Sequence, residues 1–326
     1  MRRIEKPKLP FPELEAATDE LEKGHTGDDY SPSFDSSLWR SPRVLGALRA
    51  SHGAACAYCQ AALERRGGDV EHFRPKSTYW WLAYRFSNYF LSCLDCNRYR
   101  KSNKFPLMPG AQRLRYGDGR SEHEESCLLL DPAQGPVDRF VLRRDGVFWR
   151  VAPRIVNGVP DPQAEETIRF FKLNLEMNPY FRERALAKAL DSAERARTEP
   201  GMAIEAKKRA SHFAPYGVFV QRLFRQFEYG HLIPSVEEDV ERLVGDLAEN
   251  ARVLEAALDR RDDAMTSNQF ESTLWALASL AFSPPSPLTA DRVRSWIPRD
   301  FKAIVSAMVQ AVANEASGAS SSHSPG

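Results

Sequence analysis

The apolar positions change period along the chain, and those changes divide it. From residue 164 to about 316 they recur at helical spacing. Val220, Leu223, Phe224 and Phe227 stand at i, i+3, i+4 and i+7, with Gly230 where a C-terminal cap belongs. Val236, Val240, Leu243, Leu247, Leu254 and Leu258 form a longer stripe behind Pro234-Ser235, and Ser235 and Glu238 have capping-box spacing. Phe270, Leu274, Leu277 and Ala281 mark a third helix, closed by Pro284-Pro285. Pro298 opens a fourth, with Phe301, Ile304, Val305, Met308 and Val312 on one face. Upstream, residues 12–23 and 41–52 read as short helices. Residues 139–144 and 147–152 are β-rich and flank Asp145-Gly146, a hairpin signal, whereas 157–163 read as a loop. The expected fold is mainly α: a small α+β module and one short β-hairpin precede a helical C-terminal half. The expected units are an arm and lead-in helix (1–50), the module (51–107), a loop and hairpin connector (108–163), a helical domain (164–316) and a disordered tail (317–326), rich in Ser, Gly and Ala.

Composition narrows the function classes. The chain has 326 residues with 45 basic and 44 acidic side chains, a net charge of +1. That excludes a globally basic nucleic-acid-coating protein but not a local basic site. The longest apolar stretch runs from Leu274 to Phe282, far short of the roughly 20 residues a bilayer requires, and no apolar run follows the N-terminal charges. A cytoplasmic protein with no membrane partner is the expectation. Four of the five cysteines form two C-x-x-C pairs, Cys56/Cys59 and Cys93/Cys96, with 33 residues between them. In a reducing compartment such pairs predict a metal site, and four thiolates suit a closed tetrahedral Zn²⁺ with a structural role. Cys127 reads as a buried core thiol.

The chemistry-bearing residues lie between and just after these pairs: Glu71-His72, then Asn88, then Asn97 directly after Cys96. Phosphodiester hydrolysis needs a base that titrates near neutrality, which is the range of His72. It also needs a hard cation with oxygen ligands, and the Glu71 carboxylate with the Asn97 amide can supply those to Mg²⁺ or Mn²⁺. From His72 to Lys104 seven basic side chains stand against Asp95 alone. Arg74, Lys76, Arg98, Arg100, Lys101 and Lys104 are the candidates for contact with a phosphate backbone. Most of the aromatics at 79–90 read as core of the small module.

Cys56-Ala57-Tyr58-Cys59, Val70-Glu71-His72-Phe73-Arg74-Pro75-Lys76, Asn88-Tyr89, Cys93-x-x-Cys96-Asn97 and Lys104-Phe105-Pro106-Leu107 together resemble the zinc-containing HNH nuclease family. More narrowly, they are similar to the HNH subunit of Septu-type and retron-associated bacterial anti-phage systems, as are Leu128-Leu129-Leu130-Asp131-Pro132 and the segment from Thr167 to Asn174. The resemblance implies a ββα-metal fold, His72 as general base, a divalent metal on Glu71 and Asn97, and Asn88 holding the base-bearing loop. It also implies an ATPase partner with an ABC-like or SMC-like head, or a retron reverse transcriptase complex, and makes the helical half a candidate docking platform. Many family members have Asp where Glu71 stands and a second histidine where Asn97 stands. The substrate is expected to be nucleic acid, DNA ahead of RNA. The alternative is a zinc-stabilised nucleic-acid-binding module without catalysis.

Overall fold

The computed structural model describes residues 3–27, 30–63, 68–175, 178–260 and 263–321. The first helices start where proline and capping chemistry place them. α1 (Pro12–Lys23) opens on Pro12 and buries Leu14 and Leu21. Asp35 caps the short α2 (Ser36–Trp39), and Ser41 caps α3 (Pro42–His52) by accepting from the Val44 N–H. The chain then passes the first cysteine pair and forms β1 (Gly68–His72). β1 pairs antiparallel with β2 (Tyr89–Cys93), in a register from Gly68↔Cys93 to His72↔Tyr89. A π-helix, Asp95–Lys101, follows directly. Its wide winding is rare and recurs at functional sites. The segment thus runs as an antiparallel strand pair and then a short π-helix.

The hairpin connector differs from expectation in two places. β3 (Phe140–Asp145) and β4 (Phe148–Pro153) pair with Asp145 opposite Phe148, so the turn is Gly146-Val147, one residue later than Asp145-Gly146. Gly146 takes the positive φ the turn requires, +59°. A second small hairpin, β5 (Ile155–Val156) with β6 (Val159–Pro160), occupies the segment expected to be a loop. Its turn is Asn157-Gly158, both at positive φ (52° and 78°), the conformation that an Asn-Gly hairpin favours.

Eight α-helices complete the described chain: α4 (Pro162–Phe170), α5 (Asn178–Arg195), α6 (Pro200–Arg209), α7 (Gly217–Gln226), α8 (Val236–Leu258), α9 (Ala264–Phe282), α10 (Ala290–Trp296) and α11 (Arg299–Ser321). The Ser235–Glu238 capping box forms at the start of α8. α7 ends earlier than expected: Glu228, not Gly230, adopts the left-handed conformation (φ 63°), and the Tyr229 N–H closes back on Phe224 O at 2.7 Å. Phe227 is consequently exposed. α11 extends through residue 321, so the first part of the expected disordered tail is helical, and 322–326 lie outside the described residues.

Buried side chains fall into two cores. The first runs from Ile4 through the module and hairpin to Leu232, taking in α4–α7. The second joins α8–α11. Two features tie them together. The N-terminal arm buries Ile4, Leu9 and Phe11; its Ile4 N–H donates to Pro132 O and its Lys8 N–H to the Ser283 hydroxyl. α3 crosses α9 at Gly46, where a Cβ would stand 2.4 Å from that of Trp275, so only glycine permits the approach.

Candidate metal centre and active site

Cys56 and Cys59 sit on the turn before β1, Cys93 ends β2, and Cys96 lies in the π-helix. All four are buried, and their sulfurs lie within 4.8 Å of one another. The Cys59 and Cys93 sulfurs are 3.7 Å apart. A tetrahedral Zn²⁺ with bonds of about 2.3 Å sets its sulfurs about 3.8 Å apart, whereas a disulfide needs about 2 Å. The Cys93 N–H donates to the Cys56 sulfur, and the Ala57 N–H to Leu91 O, which seats the knuckle on β2. The cluster can therefore hold a metal ion such as zinc. Burial raises the Cys56 thiol, but hydrogen bonds from Cys59, Cys93 and Cys96 outweigh it and hold it well below its usual value. Hydrogen bonding with Cys56 pushes Cys59 and Cys96 up. Four buried sulfurs at this spacing, one of them favoured as the thiolate, have the chemistry of a metal ligand set.

Along β1, alternation sends neighbours to opposite faces. His72 packs edge-on to Trp39 and Tyr89, and its Nε2 lies 3.0 Å from Ala83 O. A carbonyl only accepts, so Nε2 carries the proton and Nδ1 keeps its lone pair. Burial lowers the pKa of His72 to about 4, which corrects the expectation that it titrates near neutrality; the ring is neutral near pH 7 and a weaker base than a free imidazole. Asn88, buried at the start of β2, holds the intervening segment. It accepts from the Arg74 N–H (2.8 Å) and donates to Arg74 O (2.9 Å) and Leu82 O (3.1 Å), next to the carbonyl that fixes His72.

Glu71 points the other way. Its Oε1 pairs with Lys101 Nζ at 2.6 Å and accepts from the Tyr58 hydroxyl at 3.3 Å. Lys101 is fully buried and also donates to His72 O. Burial raises the Glu71 pKa, against Lys101 and Tyr58. Asn97 donates from Nδ2 to Val70 O, which brings the π-helix against β1. Among the described residues, no hydrogen bond engages Glu71 Oε2, Asn97 Oδ1 or His72 Nδ1. Two oxygens and one ring nitrogen thus make no hydrogen bond, with those of Glu71 and His72 on opposite faces of β1; oxygen donors of this kind suit a hard divalent cation.

The basic strip divides on inspection. Arg74, Arg100 and Lys101 are buried, which corrects the expectation that they face a phosphate backbone. Arg74 pairs with buried Glu125 at 2.8 Å, Arg100 donates to Phe171 O, and Lys101 neutralises Glu71. Burying these cations is tolerable because each meets an acceptor. Arg98 and Lys104 are exposed and Lys76 is half-buried. Arg98 is held by Asp69 at 2.7 Å, and Lys76 lies over Phe34 and Trp39. Glu125, which also accepts from Tyr79 and Leu114, was not foreseen. Its only sequence signal is that a buried arginine must find an acid somewhere.

Comparison with known proteins agrees with the defence-system resemblance. The chain is 28% identical over 153 residues to the Septu protein PtuB of Bacillus mycoides (strain KBAB4), covering 42% of this chain and 49% of the relative. It is 36% identical over 150 residues to the Septu protein PtuB of Bacillus thuringiensis, covering 44% of this chain and 56% of the relative. The chain thus spans about half the length of the curated relatives it matches. No protein-family model matches it, and no solved structure matches it significantly. No helix among the described residues is long and apolar enough to cross a membrane.

Proposed function

We propose that the chain is a metal-dependent HNH endonuclease that hydrolyses phosphodiester bonds, DNA ahead of RNA, in a Septu-type anti-phage defence system. The observation that carries this reading is the contact of His72 Nε2 with Ala83 O at 3.0 Å, which sets the tautomer. Ala83 O accepts a hydrogen bond from Nε2–H, which leaves Nδ1 unprotonated and able to accept a proton from water. Asn88 keeps that carbonyl in place, a positioning role. Glu71 and Asn97 would hold Mg²⁺ or Mn²⁺, which when bound supplies charge stabilisation for the phosphorane and the leaving oxygen. The four-cysteine cluster, with zinc, fixes the π-helix against β1. Arg98, Lys104 and Lys76 remain as contacts for the phosphate backbone. Arg74, Arg100 and Lys101 brace the site from within.

Restraint by an ATPase partner, or by a retron complex, fits a nuclease that its host must tolerate, and the second core (α8–α11) is the part left for that docking. One observation favours the alternative of a non-catalytic binding module: Lys101 already neutralises Glu71. Plasmid cleavage assayed with and without Mg²⁺ or Mn²⁺ separates the two. A binding module would retard DNA in a gel and cut nothing under either condition.

A further inference from the structure

A cavity of about 460 Å³ adjoins the chain just past the first cysteine knuckle, walled by α5, α6 and the turn entering α7. That volume lies within the roughly 300–1,000 Å³ of small-molecule sites. Its walls sort by chemistry. Ala61, Ala62, Phe181 and Tyr216 supply an apolar and aromatic side. Arg184, Lys188, Lys208 and Arg209 supply four cations against one acid, Glu205. Arg209 pairs with Glu205 at 2.5 Å, so three positive charges have no acidic partner in the wall. Among the described residues, no ion pair engages Arg184, Lys188 or Lys208.

This arrangement works against the fold unless something compensates it. Arg184 and Lys188 stand four residues apart on α5, where like charges repel. Tyr216 is buried in the left-handed region (φ 59°, ψ 5°), a costly conformation for an aromatic residue. It is also the N-cap residue of α7, so the positive end of that helix borders the same space. The Tyr216 N–H donates to Gln60 O at 2.9 Å, which connects the cavity wall to the residue after Cys59.

We propose that this cavity binds a nucleoside phosphate, with its phosphate among Arg184, Lys188, Lys208 and Arg209 and its base along Phe181 and Tyr216. Inorganic phosphate alone would leave the aromatic side of a cavity this large unused. A purely apolar ligand would leave the cations unused. The site shares no residue with the His72 centre and does not rest on the nuclease reading. Its ligand chemistry has two sources, a free mononucleotide or the phosphorylated end of a strand.

The test is isothermal titration of the full-length protein without added divalent cation, using AMP, inorganic phosphate and a short 5′-phosphorylated oligothymidylate as separate probes. The comparison variants are Lys188→Glu/Lys208→Glu and the conservative Lys188→Arg/Lys208→Arg. Both lysines are exposed, so the folded state should survive, as circular dichroism would verify. AMP should bind more tightly than phosphate. Charge reversal should weaken AMP by roughly tenfold or more, and the arginine pair should retain binding. If only the oligonucleotide binds, with the same dependence on the two lysines, the ligand is a strand end. Equal affinity for AMP and phosphate would overturn the proposal. So would binding of neither nucleotide probe, or nucleotide binding indifferent to charge reversal.

Discussion

Replacing Cys93 by serine removes one of four sulfurs from a cluster that ties two distant segments together, and the structure sets the scale of the loss. Cys59 and Cys93 are separated by 34 positions in the chain. Treating the metal as a cross-link, closing a loop of that length removes chain entropy equivalent to about 4 kcal/mol at 25 °C. For a chain of this size each kcal/mol moves Tm by roughly 2–4 °C, so the variant should melt roughly 10 °C lower. Part of the loss should appear locally, where the Ala57–Leu91 hydrogen bond and the Cys93 N–H contact to the Cys56 sulfur seat the knuckle on β2. The assay is calorimetric melting paired with elemental analysis. Wild type should carry about one zinc per chain. A chelator should lower its Tm by a similar amount and leave Cys93→Ser nearly unchanged. Folded wild-type protein without metal, or a variant melting within a degree or two of wild type, would refute the cross-link argument.

Asn88→Ala should cost about 3 kcal/mol in urea denaturation, since three buried hydrogen bonds at about 1 kcal/mol each are lost, and should slow cleavage by releasing the segment that holds His72. Lys101→Met should destabilise by about 3–5 kcal/mol by stranding the buried Glu71 carboxylate, and Glu71→Gln/Lys101→Met should recover most of that; equal stability of the single and double variants would show the pair is not coupled. The pKa of His72 falls on folding, from its ordinary value near 6.5 to about 4, so its contribution is complete above pH 6.5 and is lost as pH falls toward 4. The stability difference between wild type and His72→Gln should therefore shrink from pH 7.5 to pH 5, and a constant difference would contradict the buried neutral ring.

What the sequence disclosed was local. The two cysteine pairs, the Ser235–Glu238 box and the helix starts at Pro12 and Ser41 depend on residues a few positions apart, and all appear in the structure. The Asn157-Gly158 hairpin was equally local and was passed over as loop, although Asn-Gly is a strong turn signal. Long-range pairings were not legible. Arg74 finds Glu125, 51 positions away, and Arg100 finds Phe171, 71 positions away. Charge counting could not show that these cations face inward, because periodicity says nothing about which distant segment covers a short helix. The separation into two cores near residue 235 was hidden for the same reason: α4–α7 have the same helical period as α8–α11 but pack on the module.

The central claim is that His72 is the general base of a metal-dependent nuclease, and cleavage by purified protein tests it most directly. Supercoiled plasmid, single-stranded DNA and RNA should be incubated with Mg²⁺, with Mn²⁺ and with chelator, using wild type and His72→Ala side by side. The account predicts metal-dependent cleavage by wild type and a loss of about 10²–10⁴-fold in His72→Ala, with retardation of the same nucleic acid in a gel preserved. Cleavage by His72→Ala at the wild-type rate would contradict it.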